Sequence, residues 1–254
     1  MAIRVGIDTG GTFTDLVGID EGSGHQYLFA KRPSTPSAPA AAVGQTLADA
    51  VGDGRDFASL VLGTTVATNA MLQRRGATVL FITTKGFEDV PFIGRLDKEE
   101  LYNLNWRKPS PLVSRPNCFG LDERVAHDGE ILRPLEREEI ARAVAFVRSR
   151  LGDDPNASVA ICLLYSYLVP THEQLVRQAL LDAFPNLAVS ASHEVSPTWR
   201  EYERGSTVIG DAYIKPVVAA YADGVTRALA RAKIEAPASM LKSNGGHLRL
   251  SSAA

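Results

Sequence analysis

The sequence predicts an α/β fold in which helices cover a mixed sheet and an irregular insertion interrupts the pattern. Ile3, Val5 and Ile7 alternate before a glycine-rich turn, and a second apolar run at 16–19 follows, which predicts a β-hairpin. Helical and apolar strand patterns then alternate as far as residues 187–189. The insertion is indicated by prolines that break any long helix between residues 84 and 136: Pro91, Pro109, Pro111, Pro116 and Pro134.

The elements of the first third are predicted in the order β-β-β-α-β-α-β. Val43, Leu47 and Val51 lie four residues apart and mark one face of a helix. Apolar runs at 60–62 and 79–82 predict buried strands, and the helix between them is expected within residues 65–75. This order favours an α/β domain with a mixed sheet.

The later elements are predicted by the same periodicities. They are a helix marked by Ile140, Val144, Val147 and Leu151, a buried strand at 159–164, a helix that begins with a capping box at 171–174, and a strand at 187–189.

Three further patterns toward the end of the chain predict surface features. The charged motif at 200–204 is expected to be a solvated helix face with local ion pairs. His193 and Glu194 are expected to lie at the surface of a loop. The apolar face of a helix and a short strand are expected to lack partners and to be exposed: Val217, Tyr221, Val225, Leu229, Met240 and Leu241.

Composition limits the classes of partner and location. With 254 residues, 45% of them hydrophobic, the chain can bury the core of one large or two modest domains. A formal net charge of −2 gives no basic field, so neither a nucleic acid nor a membrane is expected as a partner. No apolar run approaches the roughly 20 residues of a membrane span, and a cytoplasmic location is expected. Cys118 and Cys162 lack metal-ligand spacing, and Cys162 is expected to be a buried thiol.

The turn at 8–15 has the composition of a phosphate-binding hairpin. Gly10 and Gly11 can adopt positive φ angles and let a phosphate approach the backbone N–H groups, while Thr12 and Thr14 offer hydroxyl donors. Carboxylates beside a phosphate, here those of Asp8 and Asp15, require a divalent cation such as Mg²⁺ or a water that they orient for attack.

Two alternatives for this turn remain open at this stage. Asp8-Thr9-Gly10 is also the signature of an aspartic protease, which needs a second such motif or a symmetric dimer within an all-β fold. The chain contains this motif once, and its remaining patterns are largely helical. The other alternative is a structural hairpin without a ligand.

A second candidate site follows the apolar run that ends at Leu62. Gly63 leads into a helix, so Thr64, Thr65 and Asn69 are expected beyond the strand end, where open α/β sheets bind ligands. The alternative is that Thr65 only caps the helix. Arg95 could offer its guanidinium to a substrate carboxylate or phosphate, or be a surface side chain in a loop.

Ordered motifs along nearly the whole chain resemble the N-terminal region of the hydantoinase A and oxoprolinase family, which includes relatives of acetone carboxylase subunits. They are GIDTGGTFTD at 6–15, GTTVATNA at 63–70, TTKGFED at 83–89, IGR at 93–95, AICLL at 160–164, SHEV at 192–195, REYER at 200–204 and SNGG at 243–246. The resemblance implies an N-terminal family domain at 1–185 and a truncated beginning of the hydantoinase A domain at 186–254. The implied fold is half of an actin-like (ribonuclease H-like) ATPase.

The resemblance also implies a chemistry, in which ATP and Mg²⁺ activate a cyclic amide such as a hydantoin or 5-oxoproline by phosphorylating its oxygen before ring opening. Asp8 is then the catalytic residue and holds the metal through water. The cofactor-binding residues are Thr9, Gly10, Gly11, Thr12, Thr14 and Asp15, and the substrate-binding residues are Thr64, Thr65, Asn69 and Arg95. The expected partners are a cyclic amide, a hydantoinase B-type subunit or domain, and further copies in a homo-oligomer.

In such relatives a second actin-like half follows and supplies the adenosine pocket. We therefore expect this chain alone to bind nucleotide weakly or not at all and to be inactive. Two other functions stay open: a non-catalytic assembly domain that keeps the fold, and a subunit of an ATP-dependent ketone carboxylase.

Overall fold

The structure, a computed structural model, describes residues 3–20, 22, 25–35, 38–50, 57–152, 154 and 156–252. The strands are β1 (Ile3–Thr9), β2 (Phe13–Asp20), β3 (Gln26–Pro33), β4 (Phe57–Thr64), β5 (Thr78–Thr84), β6 (Cys118–Leu121), β7 (Arg124–Val125), β8 (Ile131–Arg133), β9 (Ala157–Cys162), β10 (Ala188–Ala191), β11 (Ala238–Leu241) and β12 (His247–Arg249). The α-helices are α1 (Pro39–Ala50), α2 (Val66–Leu72), α3 (Val90–Ile93), α4 (Arg137–Leu151), α5 (Thr171–Ala183), α6 (Ser192–Val195) and α7 (Glu201–Arg231).

The chain forms two compact units. Unit 1 consists of Met1–Arg75 and Val217–Ala254, and unit 2 is the continuous segment Gly76–Pro216. The boundary falls inside α7, a helix of 31 residues that contains Pro216. No helix in the described part of the chain is both long and apolar enough to cross a bilayer.

Unit 1 contains a six-stranded mixed sheet in the order β12-β11-β4-β1-β2-β3. Strands β11, β4 and β1 are parallel, and β2 and β3 continue antiparallel from β1. Successive residues of β1 alternate between the two faces of the sheet. Ile3, Val5 and Ile7 are buried, whereas Gly6 and Asp8 are exposed. The predicted opening hairpin and mixed sheet are therefore confirmed.

The core of unit 1 lies on the buried face of this sheet. Val43 and Leu47 of α1 are completely buried there, as the helical period predicted, while Val51 lies outside the described residues. The prediction of an exposed apolar face on α7 and β11 is wrong. Tyr221, Val225 and Leu229 pack into the same core, because β11 pairs with β4 and the second half of α7 covers the sheet; Met240 is also buried there, and Leu241 remains half exposed.

Unit 2 is built around a parallel sheet in the order β10-β9-β5-β6. Every residue of β9 is buried, which agrees with the continuous apolar run and with a buried Cys162. Side chains of α4 and α5 pack into one cluster with this sheet, and those of the first half of α7 pack into another.

The predicted order β-β-β-α-β-α-β is confirmed, but its last strand does not join the first sheet. β5 begins the separate sheet of unit 2, so the described residues form two larger sheets and the two-stranded β7–β8 sheet where one mixed sheet was expected. The proline-rich insertion is also less of an excursion than expected. Its strand β6 returns to pair with β5, while residues 94–117 form no strand and the short hairpin β7–β8 pairs apart from this sheet.

The predicted capping box at the start of α5 is wrong. Thr171 is already the first helical residue, it follows Pro170, and no side chain caps this end. Glu173 is completely buried inside unit 2, where its carboxylate accepts hydrogen bonds. An acidic residue in a first turn does not reveal from sequence whether it faces solvent or the core.

Candidate functional site

The turn between β1 and β2 carries the predicted cofactor-binding residues. Gly10 donates its amide to the carbonyl of Phe13 at 3.0 Å, which closes the turn. Gly11 and Thr12 are exposed, and their amides donate to no residue that the structure describes. The turn therefore presents two adjacent N–H groups to solvent, an arrangement suited to an anion.

The glycines of this turn are needed for close approach rather than for a left-handed backbone. Neither Gly10 nor Gly11 adopts the positive φ expected from the sequence. A Cβ on Gly10 would lie 3.2 Å from the carbonyl oxygen of Phe13, and one on Gly11 would lie 3.4 Å from the Asn69 amide nitrogen. A side chain at either position would therefore crowd the turn.

Asp8 lies on the exposed face of β1, directly before the turn. Its carboxylate makes no hydrogen bond or ion pair with the residues that the structure describes. Gly63 is its partner on the parallel strand β4, and a Cβ there would lie 3.0 Å from Oδ1 of Asp8. The glycine thus leaves room for the carboxylate on this face.

Other predicted residues of the hairpin have partners inside unit 1. The Thr9 and Thr14 hydroxyls are buried, where Thr9 shares a hydrogen bond with Tyr221 and Thr14 shares one with Ser34, both at 2.9 Å. Asp15 accepts a hydrogen bond from Lys31 at 2.8 Å in an exposed ion pair. Thr9 and Thr14 therefore hold the hairpin together from its inner face.

The start of α2 lies against the same turn. The Thr65 amide donates to the carbonyl of Thr9 at 3.2 Å, and Asn69 donates its side-chain amide to Oγ1 of Thr65 at 3.1 Å. The alternative that the Thr65 side chain caps the helix is wrong, because Thr64 Oγ1 accepts the Val66 amide at 3.2 Å instead. The structure thus brings Thr64, Thr65 and Asn69 together with the glycine turn.

Arg95 is placed differently, because it belongs to unit 2. It lies in an exposed loop after α3, and its Nε donates to Glu203 of α7 at 2.8 Å. Its guanidinium also lies over the ring of Tyr202. The Glu203 carboxylate raises the pKa of Arg95, so the side chain stays charged.

Unit 2 contains a second polar cluster that the sequence did not predict, at the carboxyl ends of its parallel strands. Glu173 accepts hydrogen bonds from the amides of Leu163 and His193, from the Ser192 hydroxyl at 2.7 Å, and contacts Nδ1 of His193 at 2.7 Å. The expectation of a surface histidine is therefore wrong for His193, which is held by this carboxylate.

Arg204 corrects the prediction of a fully solvated motif at 200–204. It is completely buried and donates to the Ser192 hydroxyl and to the carbonyls of Thr198 and Leu163. Charges at helical spacing indicated an exposed face, but the one arginine that points inward closes a hydrogen-bonded network.

Sequence reasoning missed Tyr221 as a neighbour of the candidate site. It was assigned only to an apolar helix face, since its spacing from Val217, Val225 and Leu229 is that of a core residue. The one available signal was the hydroxyl itself, because a buried tyrosine usually finds a hydrogen-bond partner. Ser34, which also donates its amide to the Thr12 carbonyl at 2.8 Å, was missed because it lies in a proline-rich loop.

The sequence matches the family described as the hydantoinase/oxoprolinase N-terminal region over residues 4–184. Caprolactamase subunit alpha from Pseudomonas jessenii is 34% identical over 96% of this chain, which corresponds to 36% of that protein. The 5-oxoprolinase of Saccharomyces cerevisiae is 31% identical over 96% of this chain and 22% of its own length. The chain therefore spans about a third or less of these relatives.

Two solved structures share the fold. ATP-dependent caprolactamase from Pseudomonas jessenii matches 98% of this chain and 38% of its own, with a TM-score of 0.83 and 31% identity. Nucleotide-free acetone carboxylase matches 99% of this chain and 38% of its own with a TM-score of 0.83, and at 24% identity that likeness concerns the fold alone. Both have an actin-like ATPase fold, which confirms the predicted fold class. The chain belongs to the hydantoinase/oxoprolinase family, whose N-terminal region it contains.

Proposed function

We propose that the chain is the N-terminal part of an ATP-dependent enzyme that activates a cyclic amide. The γ-phosphoryl group of ATP passes to the amide oxygen and water adds to the activated carbon. The ring C–N bond then breaks, the nitrogen takes up a proton, and a second water releases phosphate from the resulting acyl phosphate. The proposal is supported by relatives whose names state an ATP-dependent caprolactamase and a 5-oxoprolinase. Phosphoryl transfer asks a protein mainly to position the reactants and to neutralise charge.

The exposed glycine turn is the observation that carries this proposal. The free amides of Gly11 and Thr12 adjoin the unpaired Asp8 carboxylate at the end of β1. In our proposal these N–H groups and the Thr12 hydroxyl cradle phosphate, while Asp8 orients the attacking group or a metal-bound water. Thr9, Gly10 and Thr14 act through the shape of the turn, and Asp15 through its ion pair with Lys31.

The residues of this turn fit Mg²⁺ that is held mainly by water and phosphate. Asp8 supplies one exposed carboxylate, a hard oxygen ligand. The described residues contain no group of three or more His, Cys, Asp or Glu side chains that could hold a metal ion by themselves. When bound, Mg²⁺ would neutralise phosphate charge, with Asp8 as its protein contact through water.

For the substrate we propose the polar groups at the start of α2. Thr65 is exposed and Asn69 lies against Gly11, so both can contact a small amide beside the phosphate site. Thr64 is proposed to act from the strand end. A substrate contact for Arg95 stays a prediction, because its Nε is engaged by Glu203 in unit 2.

Completion of the enzyme is proposed to need more polypeptide than this chain contains. The chain corresponds to 36% of the caprolactamase subunit, and that relative is named as a subunit. We propose family domains at 1–185 and 186–254, a hydantoinase B-type partner, a homo-oligomer and a cytoplasmic location. On this basis the chain alone binds nucleotide weakly or not at all and does not turn over.

Calorimetric titration with Mg²⁺-ATP tests the site. Wild type, Asp8→Asn and the control Asp223→Asn, which alters an exposed carboxylate on α7, are compared in this chain and in a form extended to the length of the relatives. Binding that Asp8→Asn abolishes and Asp223→Asn preserves would support the proposal. Binding by the extended form only would support a divided site, and no binding by either form would refute ATP use.

A second candidate function, a non-catalytic assembly domain, is favoured by one observation. The loop after α3 exposes four large apolar side chains by 68–95%: Leu96, Leu101, Tyr102 and Leu104. Such a surface is typical of contacts with other polypeptides. The substrate class also has an alternative, since the acetophenone carboxylase gamma subunit of Aromatoleum aromaticum is 31% identical over 83% of this chain.

A further inference from the structure

Tyr221 lies beneath the candidate phosphate site, and the proposed chemistry gives its side chain no role. It lies on the second half of α7, is only 3% exposed, and shares a hydrogen bond of 2.9 Å with Oγ1 of Thr9. The side chain of Thr64 lies close enough to the same phenol to lower its pKa. The phenol thus bonds the end of β1 at the point where Thr9 is paired with Thr64 of the parallel strand β4.

Thr9 and Thr64 also accept hydrogen bonds from the start of α2. The carbonyl of Thr9 accepts the Thr65 amide at 3.2 Å, and Oγ1 of Thr64 accepts the Val66 amide at 3.2 Å. The side chains of Asp8 and Thr9 point to opposite faces of β1, so the phenol acts from the buried face while Asp8 remains on the exposed one.

The chemistry of the phenol suits a fixed support. Burial raises the pKa of Tyr221, while the neighbouring Thr9 and Thr64 side chains oppose that effect. The hydroxyl therefore stays protonated at neutral pH and can donate one hydrogen bond while it accepts another.

We propose that Tyr221 is a positioning residue for the phosphate site. Its hydroxyl fixes Thr9 and Thr64 and so holds the glycine turn and the start of α2 in one arrangement before ligand arrives. This inference rests on the proposed function, because it assigns the phenol to that same site. Amide donors stabilise transferred charge best when they need no reorganisation, which is what such a support supplies.

Tyr221→Phe removes the hydroxyl and keeps the ring. Tyr213→Phe is the matched control: Tyr213 is also buried on α7, but its hydroxyl bonds to no residue that the structure describes. Val225→Ala is a second control, since it shortens a completely buried side chain of the same helix and core and removes no hydrogen bond.

Amide hydrogen exchange in the full chain, followed by NMR, provides the test. In Tyr221→Phe we expect the Thr65 and Val66 amides to exchange about fivefold faster, the effect of one lost hydrogen bond, while the ladder amides of β1 are unchanged. Tyr213→Phe should change neither group, and Val225→Ala should accelerate the amides of unit 1 together. No selective change at Thr65 and Val66, or the uniform pattern of Val225→Ala, would overturn the proposal.

A Mg²⁺-ATP titration of the same variants, in whichever form of the chain binds nucleotide, separates the two proposals. Tyr221→Phe is expected to weaken binding about fivefold or more, with Tyr213→Phe equal to wild type. Unaltered affinity in Tyr221→Phe would refute the role of the phenol but not the nucleotide site. Absence of binding by wild type in every form refutes the nucleotide site, while the exchange data still decide whether Tyr221 fixes the turn.

Discussion

Glu173 and His193 form a buried contact whose strength depends on protonation. Glu173 is completely buried, and its Oε2 lies 2.7 Å from Nδ1 of His193. This hydrogen bond raises the pKa of His193 above its ordinary value of 6.5, and partial burial opposes the effect. Glu194 of the same helix also raises this pKa, and Arg177 of α5 lowers it.

The stability of unit 2 should therefore decrease as the pH rises above neutrality. A raised pKa in the folded state means that protonated His193 contributes fully below pH 6.5 and that the contribution disappears as the pH passes the folded value. Urea midpoints measured from pH 5.5 to 9, about three pH units around the histidine range, should fall for wild type. His193→Gln should flatten this profile.

His127→Gln is the control for this prediction, because His127 lies exposed in the turn between β7 and β8. Its profile should follow that of wild type. Equal slopes for His193→Gln and wild type would show that another group governs the pH dependence.

At the residue scale, sequence identified groups that face solvent more readily than groups that face inward. Asp8, Gly11 and Thr12 were found because glycine, hydroxyl and carboxylate in one turn are unusual. The charged motif that contains Arg204 is predicted to be solvated, and the capping box at 171–174 says nothing about burial of Glu173; the burial of both depends on partners outside their own motifs. Only the folded arrangement of Leu163, Ser192 and Thr198 around them makes burial favourable.

Gly76, two residues before β5, packs tightly against α7 within unit 2. A Cβ on Gly76 would lie 2.3 Å from the ring of Tyr213 and 2.5 Å from its carbonyl oxygen. That carbonyl accepts the Ala77 amide at 2.8 Å, so backbone as well as side chain blocks the space. The position two residues before β5 therefore has no room for a methyl group.

Gly76→Ala is expected to destabilise unit 2 by about 1–3 kcal/mol, the usual cost of forcing extra volume into a packed contact. Gly6→Ala is the matched control, since a Cβ on Gly6 meets nothing within 4 Å. It should change stability by less than about 0.5 kcal/mol. Urea unfolding of both variants gives the comparison, and equal stabilities would mean that α7 shifts away from Gly76 without cost.

At the element scale, the main helices and strands were predictable from the sequence, but the sheet to which a strand belongs was not. The apolar run of β5 has the same pattern whether it continues the first sheet or begins another, because periodicity reports burial and not the neighbouring strand. The position of Thr64 and Thr65 at the end of β4 was predictable, but the hydroxyl that accepts the first amide of α2 was not, since Thr64 and not Thr65 does so. Adjacent threonines cannot be distinguished without the backbone angles.

The two units differ in how their cores are assembled from the chain. The apolar clusters of unit 2 are formed entirely by residues between Val79 and Ile214. Unit 1 needs both of its segments, since Tyr221, Val225 and Met240 pack against Ile7 and Leu62 in one cluster. Unit 2 is therefore a continuous folding unit, and unit 1 is a discontinuous one.

Residues 76–216 expressed alone are expected to fold, with a cooperative urea transition and dispersed NMR signals. Residues 1–75 alone should remain unfolded, because they lack the second half of α7 and β11. Circular dichroism and NMR of both fragments provide the check. A folded 1–75 fragment beside an unfolded 76–216 fragment would contradict this division.

At the scale of the whole molecule, the family and its α/β class were predictable because many short motifs occur in order. The division into units was not, since it depends on β11 returning to β4 after unit 2 is complete. No local pattern encodes that return. The predicted family domains at 1–185 and 186–254 describe sequence segments, and the boundary between them remains a prediction.

The pairing of β4 with β11 also matters during synthesis, because β4 emerges from the ribosome long before its partner strand. Ser239 on β11 hydrogen-bonds the carbonyl of Leu60 on β4, 179 residues earlier in the chain. At typical translation rates β4 waits on the order of ten to thirty-five seconds with one edge unpaired, while all of unit 2 emerges and can fold. An apolar strand edge recruits other strands, so nascent chains in this interval are prone to associate with one another or to require a chaperone.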